Sequence, residues 1–447
     1  MMRALSPDWR DRLIGVGALG VSGLTAYVYL GLAGRELGAE SFAPIGALWA
    51  VTFLASAALA TPLETELARR VGAARGRDAP FAAEVRAALA LAAVLGILGV
   101  VVALVAGPLL DARLFGHRTG FALAGAVAFA GLTAGSIVKG IYAGSGRLSR
   151  WGAYLLADGG SRCMLALGVA VAAPSPAAFA LALAAGPWIA LLVVSGAARK
   201  LAVGASGRAA DVVCDMVAAT SPLVVGAGAS SALTYLGAVV LPALVAHPGP
   251  EVGSYIAALS LARLPLFLFS PIVAISVPRI AYAHERDDRA LALRAAALMA
   301  GVALAGGAAC LGGAALAGSG LIHILFGHDF GVPDTSLLAL GTAGAAWLFA
   351  TAAAAVSIAS GRPRLSAAGW SAGLGVALLT VLGAGGDPFV LTDLAVAAGA
   401  VIAAAGTSLA AVLALLRPTH PAVLVPPSAH AAVPRAGWPL EAREVER

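Results

Sequence analysis

Twelve apolar segments, each long enough to cross a lipid bilayer, dominate this chain. They lie near residues 13–33, 43–63, 87–110, 120–143, 151–172, 177–197, 217–241, 253–280, 291–317, 335–359, 365–384 and 389–416. A transmembrane helix needs about 20 apolar residues. Helices and closed barrels are the structures that pair every backbone group in lipid. Segments this long and uniformly apolar favour helices, so the sequence predicts an all-α integral membrane protein with twelve transmembrane helices.

Composition supports the membrane class. The chain is 60% hydrophobic and only 12% charged, which is too little charge to cover a soluble protein of this size. The net charge of +6 does not indicate a nucleic-acid partner, because the basic residues lie in short loops between apolar segments. Neither Asn nor Gln occurs in the sequence. A polar ligand must therefore be held by charged, hydroxyl or aromatic side chains or by the backbone.

The basic residues also predict the orientation. With both termini in the cytosol, 24 of the 29 basic residues lie on the cytosolic side, three lie outside and two lie within spans. This asymmetry satisfies the positive-inside rule. We therefore expect a multi-pass protein of the cell inner (plasma) membrane with both termini cytoplasmic.

The chain repeats itself at an offset of 211 residues. "LFGH" occurs at 114–117 and again at 325–328, and "FAPIGAL" at 42–48 aligns with "GSYIAAL" at 253–259. Six spans per repeat make the halves parallel, related by an axis along the membrane normal. The predicted organisation is an N-terminal six-helix bundle (1–198), a cytosolic linker (199–211), a C-terminal six-helix bundle (212–416) and a disordered cytosolic tail (417–447).

Three stretches carry a resemblance to a known family: the "LFG" before spans 4 and 10, "ARLPLFLFSPIVAISVPRIA" in span 8, and "SGRLSRWGAYLLADGGSR" before span 5. Residues 5–416 resemble the polysaccharide and lipid-linked oligosaccharide flippases of the multidrug/oligosaccharidyl-lipid/polysaccharide (MOP) superfamily, especially actinobacterial members. The resemblance implies a V-shaped, MATE-like fold of two six-helix bundles and alternating access. It also implies a glycan on a polyprenyl pyrophosphate as cargo, met by basic residues in the cavity.

One departure from the family and one rival class bear on this resemblance. Several relatives have 14 spans, the last two shaping a groove for the lipid tail, whereas this chain has twelve. A second class with twelve spans, the major facilitator transporters, typically carries a Gly and then Asp-Arg before a Gly-Arg pair between spans 2 and 3. The loop "ETELARRVGAARGRD" lacks the leading Gly and the Asp, which disfavours that class.

Two arginines lie inside spans. Arg263 is about 15 Å deep in span 8, where an isolated charge costs at least about 2.5–3.5 kcal/mol. It is a candidate contact for an anionic substrate, and the alternative is a structural arginine tied to carbonyls or a carboxylate. Arg162 in span 5 follows Asp158 by four residues, so the two can form an ion pair on one helix face. Arg162 is a second candidate substrate contact, and Asp158 a candidate coupling carboxylate.

Other candidates are polar residues near the span ends and one hydroxyl stripe. Lys139 is a snorkelling residue or a substrate contact. Glu64 and Glu66 are predicted to pair with Arg69 and Arg70 in a cytosolic gate, or to form a solvated cluster. Arg279 is a membrane anchor or an entry contact at a gate, and Asp393 is a coupling carboxylate or an interfacial residue. The remaining candidates form a hydroxyl stripe in span 7, for sugar contacts or for hydrogen bonds between helices: Ser230, Ser231, Thr234 and Tyr235.

These patterns predict a transporter rather than an enzyme, because no nucleophile–base set, phosphate loop or metal cluster occurs in the sequence. The predicted function is a flippase that moves a lipid-linked oligosaccharide or related cell-envelope precursor from the inner to the outer leaflet. The alternatives are a proton- or sodium-coupled multidrug exporter of the same superfamily and a non-transporting scaffold. No cofactor is predicted beyond a coupling proton or sodium ion. The expected partners are the lipid-linked glycan, membrane lipids, and envelope glycosyltransferases or a polymerase.

Overall fold

The computed structural model describes residues 7–201, 209–245, 249–286 and 288–416. The predicted tail, 417–447, and most of the predicted linker, 199–211, lie outside the described residues. Within those ranges the chain is helical and contains no strand. The helices are α1 (Pro7–Ala55), a π-helical turn (Ser56–Ala60), α2 (Thr61–Gly76), α3 (Ala82–Val105), α4 (Gly107–Arg113), α5 (Phe121–Gly144), α6 (Leu148–Ala172), α7 (Pro176–Leu201), α8 (Ala209–Leu244), α9 (Pro250–Glu285), α10 (Arg289–Phe326), α11 (Asp334–Ala359), α12 (Pro363–Gly383) and α13 (Pro388–Leu416).

The first helical stretch crosses the membrane twice. Eleven helices in the described ranges are long and apolar enough to span a bilayer, and the first runs over 64 residues from Leu13 to Gly76. Gly38 interrupts it with φ 68° and ψ 170°. The rings of Tyr29 and Trp49 stack at 5.2 Å, whereas 20 residues of straight helix would separate them by about 30 Å. The helix therefore folds back at Gly38 into a first arm (13–37) and a second arm (39–55), which raises eleven spans to the twelve predicted.

The two halves pack within themselves and against each other. In the N-half (Pro7–Leu201), α1 packs on α6, and α5 packs on α2, α3 and α7. In the C-half (Ala209–Leu416), α13 packs on α11 and α12, and α10 packs on α9 and α11. The halves meet where α1 packs on α9 and where α8 packs on α2 and α3. An apolar core that includes Tyr29, Trp49, Tyr255 and Trp347 runs through both halves.

The sequence repeat is visible in the structure. Phe115 and Phe326, the phenylalanines of the two "LFGH" copies, are both fully buried. The glycine after each has a positive φ, 60° at Gly116 and 109° at Gly327, which side chains other than glycine rarely adopt. Each copy thus lies where the chain leaves one helix and turns towards the next span, although α4 ends at Arg113, before its copy, and α10 ends at Phe326, within its copy.

Candidate transport site

Arg162 lies inside the N-half in a local ion pair. Its Nη2 is 2.5 Å from Oδ2 of Asp158, and its Nε donates to the Asp158 carbonyl at 3.2 Å. The two residues are one helical turn apart on α6, so the pair needs no other element to form. Both side chains are buried. The ion pair therefore neutralises itself within one helix.

Aromatic rings of the second arm of α1 surround the Arg162 guanidinium. Its Cζ is 5.4 Å from the ring centroid of Trp49 and 5.1 Å from that of Phe53. α7 approaches from the other side, where a Cβ at Gly186 would lie 2.2 Å from the Arg162 Cγ. Nη1 of Arg162 and Oδ1 of Asp158 are buried without a hydrogen bond in the described part of the chain. The pair is thus packed tightly but leaves one polar atom of each partner unsatisfied.

Arg263 is buried in the C-half without a counter-charge among the described residues. It takes part in none of the ion pairs among the described residues, and its Nε is buried there without a hydrogen-bond partner. Its guanidinium instead lies over the ring of Tyr235 on α8, with Cζ 3.4 Å from the ring centroid. A cation–π contact of this kind offsets part of the cost of burying the charge. It leaves the guanidinium's hydrogen-bonding capacity free for a ligand.

Tyr27, which sequence reasoning did not identify, brings the N-half to this arginine. Its ring packs edge-on against Phe267 at 5.9 Å, and its hydroxyl donates to the carbonyl of Ser260 at 3.0 Å. Tyr27 is close enough to interact electrostatically with both Arg263 and Tyr235. Arg263 therefore lies where α8, α9 and the first arm of α1 meet, which is a junction between the halves.

The predicted hydroxyl stripe of α8 is mostly satisfied by its own helix. Ser230 donates to the Ala227 carbonyl at 3.1 Å, and Thr234 donates to the carbonyls of Ser230 and Ser231 at 3.0 and 3.1 Å. Hydroxyls that donate in this way can still accept hydrogen bonds. Ser231 is buried, and Tyr235 supplies the ring beneath Arg263.

The predicted acidic cluster forms two separate groups, both in the N-half. Glu66 accepts from Arg69 at 2.8 and 2.7 Å and from Arg70 at 2.7 Å. Glu64 instead pairs with Lys139 of α5 at 2.5 Å and accepts from the indole of Trp151 at 3.0 Å. Lys139 is thus paired rather than free in this conformation. Arg279 lies exposed near the end of α9.

Asp393 is held inside the C-half by hydroxyl groups. Its Oδ2 accepts from Ser336 of α11 at 2.6 Å. Its Oδ1 is buried without a hydrogen-bond partner in the described part of the chain, and so is the hydroxyl of Tyr255 on α9, which lies close enough to interact with the carboxylate. None of the ion pairs in the described ranges includes Asp393. A proton or a small cation at this position would neutralise the carboxylate.

Comparison with known sequences gives relatives without an assigned role. No family model matches the chain. An uncharacterized protein of Mycobacterium tuberculosis and one of Mycobacterium bovis are each 28% identical over 374 residues, which covers 82% of this chain and 84% of theirs.

Solved structures establish the fold. The chain is similar to a multidrug resistance MATE family transporter of the MOP superfamily in its outward-facing conformation, with a TM-score of 0.63 at 18% identity over 90% of this chain and 94% of that one. The inward-facing conformation of such a transporter gives 0.60 at 16% identity, over 91% and 96%. A MOP superfamily transporter from Pyrococcus furiosus gives 0.59 at 16% identity, over 91% and 93%. The protein is a multi-pass membrane protein with the MATE fold.

Proposed function

We propose that this protein is a membrane transporter that moves a lipid-linked oligosaccharide, or a related cell-envelope polysaccharide precursor, from the inner to the outer leaflet by alternating access. The observation that carries the proposal is Arg263, a buried guanidinium without a counter-charge among the described residues, at a junction between the halves. A lone buried arginine in a membrane span costs several kcal/mol and by default indicates a functional site. The anionic head group of the cargo supplies the missing charge.

The other candidate residues fit roles around this centre. Tyr235 positions the Arg263 guanidinium, and the hydroxyls of Ser230, Ser231 and Thr234 accept hydrogen bonds from sugars. Arg162 becomes available to bind an anion when its ion pair with Asp158 separates. Four charged residues lie at the end of the bundle that the basic loops predict to be cytosolic: Glu64, Glu66, Lys139 and Arg279. Ion pairs exchange at this end during gating. Asp393 and Asp158 are the carboxylates available for coupling to a proton or sodium ion.

A drug exporter of the same fold is the second candidate, and Asp393 is the observation that favours it. A buried carboxylate without a basic partner in the described ranges attracts a cation, whether a coupling ion or a cationic drug. One of the similar structures is described as a MOP superfamily transporter in which reverse polarity of the binding pocket suggests a different function. The charge at the junction between the halves bears on the choice between the two candidates. Arg263 lies at this junction whereas Asp393 lies inside the C-half, which favours an anionic cargo.

The deciding experiment is lipid mass spectrometry on cells that lack the protein and are rescued with wild type, Arg263→Ala or Arg113→Ala. Arg113 is the matched control, because it is an exposed arginine at the end of α4, far along the chain from the junction. The proposal expects a polyprenyl-linked glycan to accumulate and to be cleared by wild type and Arg113→Ala only. Cells that accumulate no such lipid but become sensitive to cationic drugs would instead support the exporter.

A further inference from the structure

One face of the first arm of α1 packs against the C-half between Gly20 and Gly34. A Cβ at Gly20 would lie 3.8 Å from Pro271, and one at Gly23 would lie 2.9 Å from Phe267. Further along, a Cβ at Gly31 would lie 3.0 Å from the Leu325 carbonyl oxygen, and one at Gly34 would lie 2.7 Å from Phe326. Small residues at these positions let the backbones approach closely, which creates a smooth seam between the halves.

Two side chains on this arm cross the seam with hydrogen bonds, and both end on backbone carbonyls of the C-half. Tyr27 donates to Ser260 on α9 at 3.0 Å. Arg35 donates from Nε to Leu325 at 3.2 Å and from Nη2 to Ile324 on α10. These three hydrogen bonds join the two halves.

Arg35 completes the end of a helix that belongs to the other half. The last four carbonyls of a helix lack partners within it, and they carry partial negative charge. In α10, the His323 carbonyl accepts from the Gly327 amide, and the next two carbonyls accept from Arg35. A guanidinium suits this task because it presents several donors in one plane and keeps its charge.

We propose that Arg35 and Tyr27 form a two-point latch that holds the halves together along the first arm of α1. Tyr27 is the inner point, about 16 Å along the helix from Gly38, and Arg35 is the outer point, at the end of the bundle that carries the Gly38 turn. The basic loops predict that this end faces outward. Separating the halves there breaks three hydrogen bonds and leaves the Ile324 and Leu325 carbonyls to water. The latch therefore sets how often the protein opens at this end. The proposal goes beyond the proposed cargo, and its test needs no substrate.

The test is a spin-label distance measurement on the full chain in lipid nanodiscs. Labels on cysteines at Thr119 and Thr335, which are exposed and belong to different halves near the Gly38 end, report the separation there. The three native cysteines, Cys163, Cys214 and Cys310, are replaced by serine. The latch predicts that Arg35→Ala and Tyr27→Phe each raise the long-distance population by about threefold to tenfold, the range for one net hydrogen bond.

Two matched controls separate a latch from a general loss of stability. Tyr29 lies on the same arm, and its hydroxyl donates to the Phe179 carbonyl at 2.7 Å, within the N-half. Tyr29→Phe therefore removes a hydrogen bond that does not cross the seam. Arg113→Ala removes an exposed arginine that lies on α4 of the N-half. Both should leave the distance distribution unchanged, and Arg35→Lys, which keeps the charge but loses the planar fork, should be intermediate. Wild-type distributions for Arg35→Ala, Arg35→Lys and Tyr27→Phe would overturn the proposal.

Discussion

Arg162 in the N-half and Arg263 in the C-half are both buried near the middle of a membrane-spanning helix, yet their surroundings differ. Arg162 has its own carboxylate one turn away, at 2.5 Å, with two aromatic rings beyond 5 Å. Arg263 forms no ion pair with a carboxylate among the described residues, and its Cζ lies 3.4 Å from the centroid of one ring, that of Tyr235. The first charge is neutralised by the fold, and the second is stabilised without being neutralised.

The repeat makes this difference informative. An offset of 211 residues places Thr52 at the position of Arg263, and the offset of 215 that aligns the starts of α6 and α12 places Ala377 at the position of Arg162. Neither arginine therefore has a counterpart in the other half, although the helices that carry them do. Thr52, the repeat equivalent of Arg263, is a neutral residue. It is buried, and its hydroxyl has no hydrogen-bond partner in the described part of the chain. The two halves share a backbone plan and have separate electrostatic roles.

The largest effect that tests the comparison is Asp158→Ala. Removing this carboxylate leaves the Arg162 guanidinium buried and uncompensated, so the free energy of unfolding should fall by about 3–5 kcal/mol. Denaturant titration in detergent micelles measures it. The control is Asp158→Leu combined with Arg162→Met, which removes both charges and should be close to neutral. A wild-type unfolding curve for Asp158→Ala would mean that Arg162 is not neutralised by this pair.

Arg263→Met should have the opposite sign. Because the charge lacks a partner among the described residues, its removal relieves a burial cost of about 2.5–3.5 kcal/mol, of which the Tyr235 contact recovers a part. We expect the free energy of unfolding to stay level or to rise, while transport activity is lost. Arg263→Lys keeps the charge and should not show this gain. A loss of stability as large as that of Asp158→Ala would break the distinction between the two arginines.

The sequence predicts those features that depend on local spacing. The spans follow from runs of apolar residues, and the Asp158–Arg162 pair follows from a separation of four residues on one helix. Gating partners were predicted less completely, since Glu64 pairs with Lys139 rather than with Arg69 and Arg70. Side chains two positions apart on a helix point about 200° away from each other, so Glu64 and Glu66 cannot face the same partners.

Contacts between distant parts of the chain lie beyond such reasoning. The Tyr27 hydroxyl and its acceptor are 233 residues apart, and Arg35 and its acceptors are 290 and 289 residues apart. The partners are backbone carbonyls, which every residue has, so the sequence carries no signal for them. That Arg263 has no carboxylate partner among the described residues is equally hidden in the sequence, because it depends on which side chains the fold brings near. The inter-half junction could therefore be found only in the structure.

A double-mutant cycle between Arg263→Met and Tyr235→Leu sharpens the comparison at smaller magnitude. A desolvated cation–π contact is worth up to about 2 kcal/mol, so the coupling energy should be about 1–2 kcal/mol. The matched cycle of Arg162→Met and Phe53→Leu should give less, because the ring centroid is 5.1 Å away rather than 3.4 Å. Tyr235→Phe keeps the ring and should retain most of the coupling. Equal coupling in the two cycles would show that Tyr235 does not position Arg263.

The smallest effect should come from the ion pair of Glu64 and Lys139, which marks the limit of what local pairing contributes. Their side chains are 13% and 20% exposed, so water and salt screen the pair more than they screen Arg162 and Asp158, at 7% and 9%. Lys139→Ala should therefore lower the free energy of unfolding by about 1 kcal/mol or less. Raising the salt concentration from about 0.1 M to 1 M shortens the screening length from about 10 Å to 3 Å, so it should reduce this difference but not that of Asp158→Ala. If Lys139→Ala destabilised the protein as much as Asp158→Ala, and did so at all salt concentrations, burial rather than pairing within one helix would explain the behaviour of Arg162.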